Sequence, residues 1–264
     1  MLSCMYLFMW VNIIMIVVVS ALVIAMYALY RLPGYADHTT DHTKHTGLTK
    51  ESYERVPRYT ICVVSLPSRA DRRRRLAEAL GSRPYDVIDA IDGKTVMWPH
   101  STTLTRGEVG CFMSHMSALE RVAHADSADS AWTLVLEDDA SVPPLDVLDR
   151  AIDTLVHEAP SWCGAISLGC NAYPAATQTR PISPNLASFV DFDLYGAHAI
   201  MYSRAGARAY LDAAKRELRD RGGDITVPWD LWISRSRASS LLVVHPEPVI
   251  HPVDIHDSDT QRVR

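Results

Sequence analysis

Strand and helix patterns alternating behind one long uncharged apolar segment predict an α/β sandwich on a mostly parallel sheet, preceded by an N-terminal transmembrane helix. Three observations carry this. Residues 1–30 of the 264-residue chain contain no Asp, Glu, Lys, Arg or His. From Tyr59 onward, short β-rich runs alternate with helical periodicity. One of those runs, Trp132–Glu137, ends abruptly in acidic residues, and ligands of open α/β sheets bind beyond the carboxyl ends of strands. The average composition hides this division. With 48% hydrophobic and 22% charged residues and a mean hydropathy of −0.02, the chain is neither a disordered polyampholyte nor a multispanning membrane protein.

Charge divides at the same place. Residues 1–57 carry four basic and four acidic side chains, so the formal net charge of −5 belongs wholly to residues 58–264. An acidic domain excludes a general polyanion binder, and no nucleic-acid partner is expected. From Met5 to Leu29 the apolar run exceeds the 20 or so residues that cross a bilayer, and it lacks the Lys/Arg start and small-residue cleavage site of a signal peptide. Residues 1–30 therefore read as a retained single-pass anchor in a membrane. Arg31 after the span, with no Lys or Arg before it, leaves lumenal and cytoplasmic orientations both open. Residues 31–57, rich in Thr, His, Asp, Lys and Glu, read as a flexible stem in which His38, His42 and His45 are spacer residues, not a metal cluster.

Six strands are predicted at Tyr59–Leu66, Asp86–Ile91, Trp132–Glu137, Gly164–Leu168, Ala197–Tyr202 and Leu241–His245. Helices are predicted at Ser68–Leu80, Gly107–Ala125, Leu145–Glu158, Arg204–Arg221 and, briefly, Asp230–Ser234. The five cysteines are an odd set at unrelated spacings, which argues against a disulfide framework or zinc ribbon; Cys163 and Cys170 flank one strand closely enough for pairing to remain open.

Three motifs carry chemistry. In Ser65-Leu66-Pro67-Ser68-Arg69-Ala70-Asp71-Arg72 a strand gives way to a helix that Ser68 is placed to cap, with guanidinium groups at the turn. Arg69 and Arg72, nearest the strand end, are candidates for an anion, whereas Arg74 and Arg75 read as a solvated face. The second motif runs from Thr105 through His115. Val109, Phe112, Met113, Met116 and Leu119 form a buried stripe, and Glu108, Cys111 and His115 lie on another face. A zinc site made from those three alone lacks a second ligand cluster, so a polar helix edge lining a pocket is the preferred reading. The third is Leu136-Glu137-Asp138-Asp139. Carboxylates packed this closely raise one another's pKa unless a cation or hydrogen-bond donors compensate, and a divalent metal held by Glu137 and Asp139 is the economical account. The competing reading is an acidic turn in solvent. A second acid-x-acid element, Asp191-Phe192-Asp193, ranks lower because it follows a loop.

Taken in order, these residues resemble glycosyltransferase family 25, the group of lipooligosaccharide and collagen galactosyltransferases. The resemblance rests on Arg69 to Arg72, Asp92-Gly93, the Glu108–His115 block, Leu136–Asp139, Tyr195-Gly196-Ala197-His198-Ala199, Ser203-Arg204-Ala205-Gly206-Ala207 and Pro228-Trp229-Asp230, and it spans about residues 58–257. Ser65 departs from the family's usual Asn. The resemblance implies a GT-A-like, Rossmann-type fold over 58–264, a UDP-sugar donor (galactose above all), Mn2+ or Mg2+, and inversion at the anomeric carbon. It also implies a glycan, a lipid-linked sugar or a protein as acceptor. Arg69, Arg72, Asp92, Ser114, His115 and Asp138 then become candidates for the nucleotide side, with Glu137 and Asp139 on the metal. Asp230 or Glu108 stands as the general base, and His251 and His256 are pocket candidates. Two rival classes are an inactive glycosyltransferase-like binding module and a metal-dependent phosphohydrolase. The latter lacks a second ligand cluster.

Overall fold

The computed structural model describes residues 59–96, 103–171, 174, 178–190 and 193–253. The anchor and stem read over residues 1–57 lie outside the described residues, as does His256. Among the described residues no helix is long and apolar enough to cross a membrane.

The sheet grows outward from β1 (Tyr59–Ser65), whose parallel neighbours are β2 (Asp86–Asp89) and β3 (Trp132–Glu137). β8 (Ala199–Ser203) inserts antiparallel between β3 and β5 (Cys163–Ser167). Beyond β5 come β9 (Ser240–Val244), β7 (Leu186–Phe189) and β6 (Thr179–Pro181), giving eight strands in the order β2-β1-β3-β8-β5-β9-β7-β6. Two short strands, β4 (Ala140–Ser141) and β10 (His251–Pro252), pair separately. The sheet is therefore mixed: β8 opposes both its neighbours, and β7 opposes β9 and β6. This corrects the mostly parallel expectation. The three-residue β6 and four-residue β7 and the two-residue β4 and β10 are too short to show a two-residue period in the sequence.

Helices cover both faces. Along β1, Tyr59, Ile61 and Val63 point to one layer, with α1 (Ala70–Leu80) and α3 (Leu145–Glu158) supplying Leu76, Leu80, Leu148, Ile152 and Leu155. Cys62 and Val64 point to the other, against α2 (Arg106–Ala123), α4 (Arg204–Asp220) and α5 (Trp229–Arg235). Strand alternation thus sorts one sequence into two cores. Each fully buried Leu on either face contributes roughly 2 kcal/mol by area removed from water.

α2 starts where the sequence signals it: Thr105 accepts from the Glu108 N–H while the Glu108 carboxylate accepts from the Thr105 N–H, a reciprocal capping box. α1 does not follow the expected cap. Arg69, not Ser68, occupies the N-cap position, and no side chain caps that helix. Cys62, Cys111 and Cys163 are free thiols, so Cys163 forms no disulfide with Cys170.

Candidate active site

The three carboxylates that end β3 part company because successive strand residues point to opposite faces. Asp138 turns into the α1 layer and is buried. Its Oδ1 accepts from the Arg72 guanidinium at 2.9 Å and its Oδ2 from the Ser65 hydroxyl at 2.6 Å. Arg75 from the same helix donates to the Asp138 carbonyl. Glu137 turns into the α2 layer. Its Oε1 lies 2.8 Å from His115 Nε2 and 3.8 Å from the Cys111 sulfur. Asp139 stays at the strand's mouth, its Oδ2 3.8 Å from Arg72 and its buried Oδ1 without a hydrogen-bond partner.

These surroundings set three different affinities for a proton. Burial pushes the Asp139 carboxyl up, the charges of Glu137 and Asp138 push it further, and Arg72 offsets only part, leaving it at about 7. Burial acts on Glu137 in the same direction, but the His115 hydrogen bond and charge outweigh it and hold Glu137 below the usual range. Burial also pushes the Cys111 thiol up, assisted by the charges of Glu137, Asp230 and Asp139. His115 is fixed in place: 1% exposed, it stacks on Trp229 with ring centroids 5.3 Å apart and planes 8° apart. Its buried Nδ1 has no partner, which puts the proton on Nε2 facing the carboxylate.

Two clefts meet at this point, and Cys111, Glu137 and Asp139 line both. The first, a cavity of about 160 Å3, lies between the ends of β1 and β2 and the start of α2, with Ser65, Ser68, Arg72, Ile91, Asp92, Gly93, Lys94, Ser114 and His115 among its walls. Its floor is shaped by a close backbone approach. A Cβ on Gly110 would stand 2.5 Å from the Ile91 carbonyl oxygen, and one on Gly93 would collide with the Arg106 carbonyl. Ser114 ties the same loop down, accepting from the Ile91 N–H at 2.8 Å and donating to the Gly110 carbonyl. The second cleft, about 530 Å3, opens toward α5 and the loop before β8, and includes Glu108, Asn171, Tyr195, Gly196, His198, Trp229 and Asp230. Asp230 is anchored by two backbone donors, Gly196 N–H at 2.8 Å and Leu231 N–H at 2.9 Å. Gly196 reaches it with φ at 89°, a conformation that favours glycine. Burial raises the Asp230 carboxyl, and those two bonds restrain the rise.

The residues expected from sequence therefore converge, with changed duties. Glu137, Asp138, Asp139, Asp92, Ser114, His115, Arg72, Asp230 and Glu108 all line one cleft or the other. Arg72 donates to Asp138 and also lines the first cleft. The Arg69 guanidinium bonds to Asp71 at the turn that opens α1. Ser114 is a brace between α2 and the Asp92-Gly93 loop. Asp193 pairs with Arg235 at the end of α5, and Asp191 and Phe192 lie outside the described residues. His251 sits on β10, exposed. Sequence reasoning missed Lys94, directly after Asp92-Gly93, and the Trp229 platform under His115; in the latter case the Pro-Trp-Asp run was the available signal.

Residues 59–158 match the family described as glycosyltransferase family 25 (LPS biosynthesis protein). The chain is 29% identical over 177 residues to procollagen galactosyltransferase 1-A of Xenopus laevis, covering 58% of this chain and 28% of that protein. It is 34% identical over 175 residues to procollagen galactosyltransferase 2 of Homo sapiens, covering 58% and 27%. It is also 33% identical over 123 residues to the inactive glycosyltransferase 25 family member 3 of Homo sapiens, covering 39% and 20%. The chain thus spans under a third of the length of these relatives.

Proposed function

We propose that the chain, residues 59–158 of which match glycosyltransferase family 25, transfers a hexose, galactose in the first instance, from a UDP-sugar to an acceptor hydroxyl with inversion. The observation that carries the reading is Asp139, whose buried, unpartnered oxygen stands beside Glu137 where the two clefts meet. Hard oxygen donors with a surplus of negative charge fit a divalent cation, Mn2+ or Mg2+, held by Asp139 and Glu137. Bound there, such an ion supplies charge neutralisation for a departing diphosphate.

The remaining work falls to the protein's own groups. The first cleft, walled by the Asp92-Gly93 loop and Lys94, takes the nucleotide; the close backbone approach at Gly93 and Gly110 holds that loop against α2. The second cleft takes the acceptor. Inversion needs a base on the acceptor side, opposite the leaving group. Of the two candidates, Asp230 is the better placed, because Glu108 gives one carboxylate oxygen to the capping box of α2. Asp230 is held by two N–H donors and raised by burial, which makes it a stronger base than an ordinary carboxylate. Arg72 keeps Asp138 from adding a free negative charge to the nucleotide side. The apolar run at residues 5–29 supports membrane attachment of the enzyme, with a glycan, lipid-linked sugar or protein as acceptor.

A second reading, a sugar- or protein-binding module without turnover, is favoured by the 33% identity to an inactive family member. One experiment separates the two. The purified full chain is incubated with a panel of UDP-sugars, with and without Mn2+, and UDP release is followed. Metal-dependent release that falls at least a hundredfold in Asp139→Ala supports transfer. UDP-sugar binding without release in a folded chain supports the binding module instead.

A further inference from the structure

We propose that Cys111, His115 and Glu137 form a second cation site, suited to a thiophilic ion of the zinc class, that shares Glu137 with the Asp139 site. Cys111 and His115 stand one turn apart on the same face of α2, and the end of β3 brings Glu137 against both. The sulfur, imidazole nitrogen and carboxylate oxygen all lie within 4.8 Å of one another. A tetrahedral zinc ion with ordinary bond lengths holds such donors about 3.3–3.6 Å apart. The sulfur–carboxylate separation of 3.8 Å is close to that already. The 2.8 Å His115–Glu137 contact needs to open by only about half an ångström as the shared proton leaves.

The donor chemistry selects the ion. Magnesium and manganese take oxygen ligands and gain little from a thiol, whereas one sulfur, one nitrogen and one oxygen suit zinc or cobalt. Three protein ligands leave a fourth position open, and the clefts on either side supply it. The ligands are also preorganised. His115 cannot swing away while stacked on Trp229, and the capping box fixes the start of α2 one turn before Cys111.

Sharing has a consequence. A carboxylate drawn toward zinc is withdrawn from the hard ion beside Asp139, so zinc acts as a competitor at the site. This competition rests on the proposed function, but the zinc site itself does not.

The test starts with the reduced, chelator-treated full chain titrated with Co2+. The expected result is a near-ultraviolet thiolate-to-cobalt charge-transfer band that saturates at about one equivalent and is bleached by Zn2+. Cys111→Ser and Cys111→Ala, each checked for native circular dichroism, remove the band, whereas Cys62→Ser retains it. Absence of a band in the wild-type chain, or a band that survives in a folded Cys111 variant, overturns the site. In the second arm, Mn2+ binding is followed by the paramagnetic resonance of the free ion. One equivalent of Zn2+ is expected to release bound Mn2+ from the wild-type chain and not from Cys111→Ser. Simultaneous binding of both ions overturns the sharing of Glu137. No Mn2+ binding at all counts against the hard-ion reading and leaves the cobalt result to decide the zinc site.

Discussion

Glu137, Asp138 and Asp139 are adjacent carboxylates with three separate fates, and the difference lies in what each strand face offers. Asp138 meets a guanidinium inside the α1 layer, where Arg72 and Asp138 are 5% and 8% exposed at the side chain. Removing one partner of so buried a pair strands the other. Arg72→Ala is expected to destabilise the chain by about 3–5 kcal/mol in urea unfolding, because Asp138 keeps the Ser65 hydroxyl but loses its counter-charge. Adding Asp138→Asn should recover part of that loss, since an amide needs no cation. A loss below about 1 kcal/mol for Arg72→Ala would show that water reaches Asp138 and that the pair is a surface one. Ser65, which departs from the family's usual residue, belongs to this same buried network while also lining the first cleft.

At the scale of elements, α2 and the loop after β2 act as one unit. Their contact is backbone to backbone at Gly110 and Gly93, with Ser114 as the tie. Helix propensity favours Gly110→Ala by up to about 1 kcal/mol. Packing opposes it, since the new methyl would stand 2.5 Å from the Ile91 oxygen and 2.8 Å from the Gly93 nitrogen, neither of which is a flexible side chain. Packing should prevail: the substitution is expected to cost about 1–3 kcal/mol. By shifting the Asp92-Gly93 loop it should also weaken UDP binding roughly tenfold in isothermal titration, about 1.4 kcal/mol. A more stable variant with unchanged UDP affinity would sever the loop from the nucleotide cleft. This contact explains what sequence reading could and could not reach. Asp92-Gly93 was legible only through the family resemblance, whereas Glu108–His115 also stood out by its own helical pattern. That their glycines touch each other was not legible, because sequence spacing carries no distance between separate elements. The same holds for Arg72–Asp138, 66 residues apart, and for β8 reversing the sheet's direction between β3 and β5. Periodicity finds strands, and the strand order comes from tertiary packing.

For the whole molecule, burying Asp139 between two helix layers couples the site to global stability. Its native pKa of about 7 lies above the roughly 3.9 of an unfolded aspartate, so the unfolded chain releases this proton first. Between those two values the native state binds more protons than the unfolded state, and stability therefore falls as pH rises. The contribution is fully present below about pH 4 and is lost as pH passes through about 7. Other groups titrate across that range, so the signal is the difference from Asp139→Asn. In chelator, the Asn variant should gain on the wild-type chain as pH rises from about 4 to about 8, reaching on the order of 1–3 kcal/mol, or several degrees in Tm. A cation at Glu137 and Asp139 offsets the same charge. Saturating Mn2+ should accordingly raise the wild-type Tm more at about pH 8 than at about pH 5, and should do little to the Asn variant at either. A metal-induced rise that is the same at both pH values, or that persists in Asp139→Asn, would place the cation elsewhere and remove Asp139 from the centre of the site.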